Sequence, residues 1–73
     1  SSVNKIFIYK NKIAGVVNDK YLDSMGVYGL WYFYNHNGVW ENAGEDIGGE
    51  TVLESEITFR EKAKVILSKR MTQ

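Results

Sequence analysis

The stretch Val27–Ala43 reads Val-Tyr-Gly-Leu-Trp-Tyr-Phe-Tyr-Asn-His-Asn-Gly-Val-Trp-Glu-Asn-Ala, an aromatic run broken once, at Asn37-Gly38. Asn-Gly is the strongest short hairpin signal, because both central residues of the tightest hairpin turn need positive φ. A two-residue turn there sets His36 opposite Val39, Asn35 opposite Trp40, Tyr34 opposite Glu41 and Phe33 opposite Asn42. Strand alternation then puts Trp31, Phe33 and Trp40 on one face and Tyr28, Leu30, Tyr32 and Tyr34 on the other. The first set is expected to face the core.

Upstream, Ile6-Phe7-Ile8-Tyr9 and Ile13-Ala14-Gly15-Val16-Val17 are β-rich runs around Lys10-Asn11-Lys12. Asn11 tolerates the left-handed conformation that a tight turn needs. With Lys10-Asn11 as the turn, Ile8 faces Ile13 and Ile6 faces Gly15. Ile6, Ile8, Ile13 and Val17 then share a face, with Lys5, Phe7, Tyr9 and Val16 on the other. Asn18–Gly26 is polar and reads as a loop or short helical turn.

Downstream, Gly44–Gly49 reads as a glycine-bounded loop, and Glu50–Ile57 alternates as a further strand. Thr58-Phe59-Arg60-Glu61 fits the capping box that opens a helix. From there Phe59, Ala63, Ile66 and Leu67 fall on one helical stripe, and Lys69 and Arg70 complement the dipole in the last turn. Val65 is off the stripe and Arg70 is on it. The expected architecture is α+β in a single domain, residues 1–73. It is a small antiparallel sheet of about four or five strands, including two hairpins, with one C-terminal helix packed on one face. Its expected core is Ile6, Ile8, Ile13, Trp31, Phe33, Trp40, Leu53, Ile57, Phe59, Ala63, Ile66 and Leu67.

The chain has 73 residues with no cysteine or proline, so no disulfide or thiolate zinc site reinforces it. A domain this short buries only about 60% of its unfolded surface. Three Phe, five Tyr and two Trp make a dense aromatic core, or association between chains, the natural compensation. Cysteine-free composition fits a reducing compartment, and a cytoplasmic location is expected. No apolar run approaches the roughly 18 residues of a membrane span, and the N-terminus lacks the basic and apolar regions of a signal peptide.

The net charge is zero, but the charges are segregated. Lys5, Lys10, Lys12 and Lys20 precede an acidic stretch of Glu41, Glu45, Asp46, Glu50, Glu54 and Glu56. Lys62, Lys64, Lys69 and Arg70 follow it. Such blocks either face one another in the fold or present a patch of one sign that steers a partner.

No motif carries catalysis. His36, the single histidine, sits beside a turn, with Glu41 the one carboxylate able to approach it across the hairpin. Glu45, Asp46 and Glu50 lack the spacing of a calcium loop. Gly44, Gly48 and Gly49 lead into no Gly-Lys-Ser/Thr phosphate cradle. No catalytic residue, metal or cofactor is therefore expected.

The tyrosine row has three readings: a second core covered by other segments, a protein interface, or a base-stacking platform. The expected function is a small non-enzymatic binding module. Tyr28, Tyr32, Tyr34, Glu41, Glu45, Asp46, Glu50, Glu54 and Glu56 would contact a protein of basic character, as an inhibitor filling a basic site. A homodimer through the tyrosine face is the related expectation. The alternative is a nucleic-acid-binding domain using Lys5, Lys10, Lys12, Lys62, Lys64 and Lys69 with the sheet tyrosines.

Overall fold

A computed structural model describes residues 4–22 and 26–72. Four strands, β1 (Asn4–Tyr9), β2 (Ile13–Leu22), β3 (Val27–His36) and β4 (Val39–Gly49), precede one helix, α1 (Val52–Met71). They form an antiparallel sheet in the order β1-β2-β3-β4, so each strand bonds to its neighbour in sequence. The helix packs across one face, giving the α+β fold that the sequence predicts.

The Asn37-Gly38 hairpin has the predicted register, His36 opposite Val39 through Phe33 opposite Asn42. Both turn residues have positive φ, 54° and 90°. Beyond Asn42 the ladder shifts at a bulge between Tyr32 and Phe33. The segment expected as a Gly44–Gly49 loop instead continues β4. Likewise β2 runs on through Asn18 to Leu22, where a loop or helical turn was expected; residues 23–25 of that segment lie outside the described residues.

The first hairpin departs from its predicted register by one residue. Lys10 and Asn11 are both left-handed, with φ of 53° and 57°, and the Lys12 amide donates to the Tyr9 carbonyl at 3.0 Å. Lys12 is then an extra residue, so Tyr9 faces Ile13, Ile8 faces Ala14 and Phe7 faces Gly15. A one-residue slip exchanges the faces of a strand. Phe7, not Ile8, consequently joins Ile13 and Val17.

The helix begins seven residues earlier than the Thr58 box implies, and the expected Glu50–Ile57 strand is its first turns. The operative cap is Thr51-Val52-Leu53-Glu54. Thr51 Oγ1 accepts from the Glu54 amide at 3.0 Å, and Glu54 Oε2 accepts from the Glu50 amide at 3.2 Å. Thr58 lies inside the helix and donates to the Gly48 carbonyl.

The core is organised around Phe59. Cross-strand pairing lines up Phe7, Gly15, Tyr32 and Gly44, and the Phe59 ring covers this row. Its centroid lies 5.6 Å from that of Phe7 and 6.1 Å from that of Tyr32. A Cβ at Gly15 would collide with the Phe59 ring, so glycine sets how closely the helix approaches. Gly48 does the same beneath Ser55, which is buried and donates its hydroxyl to the Thr51 carbonyl. Ile13, Val17, Leu30 and Ala63 complete the buried set.

The sheet face expected to form the core is therefore the wrong one. Ile13, Phe59 and Ala63 are buried as predicted, and Ile66 and Leu67 pack partly against them. Ile6, Ile8 and Trp40 are exposed, while Trp31 and Phe33 are half-buried on the side away from the helix. Leu53 and Ile57 are exposed on the outer side of the helix. The physical reason is steric. The face bearing Gly15 and Gly48 admits a helix; the face bearing Trp31, Phe33 and Trp40 holds it off.

Candidate interaction face

With the helix on one side, no described element covers the other side of the sheet. Two cross-strand rows build it. Ile6 pairs with Val16 and Val16 with Trp31; Ile8 pairs with Ala14 and Ala14 with Phe33. Trp40, paired with Asn35, and Ile47, paired with Gly29, extend the surface onto β4. Ile6 is 62% exposed and Trp40 45%. Both tryptophans of the chain lie here.

Within this face is a depression of about 340 Å³ lined by Ile6, Ile8, Ala14, Val16, Phe33 and Trp40. Ala14 is small and supplies its floor, while the larger side chains form its walls. Among the described side chains, Glu45, paired with Trp31, is the one charged residue that the register places on this face.

Asn35 holds the turn end of the sheet. Its amide donates to the Lys12 carbonyl at 2.8 Å, and its Nδ2 donates to the Asn11 carbonyl at 3.2 Å. Its Oδ1 accepts from the Gly38 amide at 2.7 Å. One side chain thus ties both hairpin turns together, which fixes the position of Trp40 beside it.

The sequence-predicted tyrosines do not form an open face. Tyr32 is 1% exposed beneath Phe59, and Tyr28 and Tyr34 pack partly against the core. The Arg70 guanidinium lies 5.0 Å from the Tyr34 ring centroid, which explains a basic residue on the helix stripe. The helix packs on the side of the sheet that carries these tyrosines.

The acidic residues are dispersed. Glu41 Oε1 lies 3.2 Å from His36 Nδ1, the cross-hairpin approach expected from sequence. Asp46 pairs with Lys62 at 3.3 Å, and Glu56 with Arg60 at 3.1 Å. Glu54 is engaged by the helix cap. Glu50 precedes the helix. Glu41, Asp46, Glu54 and Glu56 are thus each engaged by a different partner.

A second concavity of about 450 Å³ runs between the helix and bulged β4, lined by Tyr32, Gly44, Glu45, Lys62, Lys69 and Arg70, among others. Its charges are mixed. Among the described residues, no group of three or more His, Asp or Glu side chains is placed to hold a metal ion. No described helix is long and apolar enough to cross a membrane.

No protein-family model, curated protein or solved structure matches this chain.

Of the open face, Ile6, Ile8, Trp31, Phe33 and Trp40 read from sequence as core, whereas Ala14, Val16 and Ile47 stand outside that expected set. The signal that distinguishes the two faces is Gly15, placed between Ile13 and Val17 on the alternation that also carries Phe7 and Tyr32.

Proposed function

We propose that this chain is a small non-enzymatic protein-binding module that docks an apolar protein surface on its open sheet face. The observation that carries the reading is the contiguous, nearly uncharged surface of Ile6, Ile8, Val16, Trp31, Phe33 and Trp40. Soluble monomers rarely leave large contiguous apolar patches exposed, and such patches mark binding sites. Tryptophan is among the residues that most often dominate interface energetics. Affinity on this reading comes from the apolar face, and the acidic stretch contributes Glu45 at its margin. The bases Lys62, Lys69 and Arg70 lie along the helix, away from the open-face aromatics, so the nucleic-acid alternative gains no support from the geometry.

The test is affinity capture with the wild type, Trp40→Glu, and an acid-neutralised variant, Glu50→Gln with Glu56→Gln. Trp40 is exposed, so its replacement should leave the circular dichroism spectrum unchanged. Proteins retained by the wild type and the acid variant but lost from Trp40→Glu are the expected result. Equal retention by Trp40→Glu and the wild type, with loss from the acid variant, would sink it.

A further inference from the structure

We infer that the occupant of the open face is a second copy of this chain, forming a two-fold dimer with the sheets face to face and the helices outside. The inference rests on the reading of that face as a protein-binding surface. Its first support is architectural. A sheet carrying a helix on one side is half of a layered structure, and two sheets stack with their inner faces about 10 Å apart.

Shape is the second support. A two-fold interface must be self-complementary, each copy offering both the projection and its receptacle. On the open face Trp40 forms one wall of the depression floored by Ala14 and is itself 45% exposed, so its outer side is available to enter the depression of a second copy. Its volume of about 340 Å³ is ample for an aromatic side chain. Rotating one copy by a half turn can bring the bulky β3–β4 side of each sheet over the small residues of β2 in the other.

Charge is the third. The chain has zero net charge, so identical copies meet without long-range repulsion. Among the described side chains, no basic or acidic cluster on the open face selects a partner of opposite sign.

Area sets the strength. Four strands about 4.8 Å apart, over roughly six residues at about 3.3 Å each, project about 400 Å² per face. Allowing for the corrugation of side chains, two faces bury on the order of 1,000 Å², the lower limit for a specific interface. An interface at that limit belongs with weak, transient association, so the dimer is sought from micromolar to millimolar concentration. Lateral pairing through β4 is disfavoured, because β4 is bulged twice and carries left-handed Gly44 and Gly49. Such irregularities blunt a sheet edge. The other edge, β1, is regular, and pairing through it is the competing geometry.

Sedimentation equilibrium from micromolar to millimolar concentration, read together with tryptophan emission, tests this. Trp31 and Trp40 are the chain's two tryptophans, and both lie on the proposed interface. The wild type should double in mass with concentration while its emission shifts to the blue. Trp40→Glu and, separately, Ile8→Lys should weaken the dimer by roughly thirtyfold or more, as loss of a central contact does. A wild type monomeric at millimolar concentration overturns the dimer, while capture that depends on Trp40 would still sustain the binding reading. A dimer unaffected by both substitutions, with unshifted emission, places the interface elsewhere and also overturns it.

Discussion

The hydroxyl of Tyr32 is buried with no hydrogen-bond partner among the described residues. Its ring fills the core beneath Phe59, so the residue contributes as an aromatic and its oxygen is a burden. An unsatisfied buried hydroxyl costs about 1–3 kcal/mol. Tyr32→Phe should therefore stabilise the fold at neutral pH by about 1 kcal/mol, measured by urea unfolding. Burial, and secondarily the negative charge of Asp46, raise the phenol well above the ordinary tyrosine value. The folded chain thus keeps a proton that the unfolded chain releases above about pH 10. This contribution is constant below that pH and is lost as pH rises through the alkaline range. Wild-type stability should fall more steeply than that of Tyr32→Phe between pH 9 and pH 11. Equal slopes for the two proteins would show that Tyr32 ionises freely.

The elements show where local sequence is ambiguous. Two Thr-x-x-Glu boxes stand in series, Thr51 to Glu54 and Thr58 to Glu61. The later one precedes an evident apolar stripe, whereas the residues after the earlier one alternate enough to resemble a strand. Only tertiary packing separates them: Ser55 fits under Gly48, which continues the buried helix stripe upstream of Phe59. Thr51→Ala should lower stability by about 1 kcal/mol through loss of the cap. Thr58→Ala should cost less, because its amide lies within the helix; urea unfolding of the pair decides between the boxes. The first hairpin is ambiguous in a different way. Lysine at a left-handed position carries strain that asparagine and glycine bear more easily. Replacing Lys10-Asn11 by Asn-Gly should raise stability by about 1 kcal/mol in the same assay, provided the Tyr9–Ile13 register is kept.

At the scale of the molecule, the two hairpins, the C-terminal helix and the register of the second hairpin were legible because turn chemistry is local. Which sheet face meets the helix was not. Period-two alternation separates two faces without naming the inner one, and here both are apolar. Leu30 with Tyr32 and Trp31 with Phe33 are equally good cores by hydrophobicity. The choice falls to absence of bulk at Gly15 and Gly48, a property of how two surfaces meet. The same inversion changes the meaning of the aromatic residues, since those reserved for an interface became core and those reserved for the core became the candidate interface.

The strictly sequential order of the strands also governs how the chain reaches this state. Each strand finds its partner immediately before it, so most β contacts arise by closing a short connection. The entropy lost in closing a loop grows with its length, and topologies built from near neighbours cross lower folding barriers than those pairing distant segments. The meander can zip from its turns, with the Asn37-Gly38 hairpin the best-formed starting point. The helix has a different timetable: its Phe59 seat exists only after β1, β2 and β3 have brought Phe7, Gly15 and Tyr32 side by side. The topology therefore predicts a folding order of sheet first and helix docking last, in which Phe59→Leu speeds unfolding more than it slows folding.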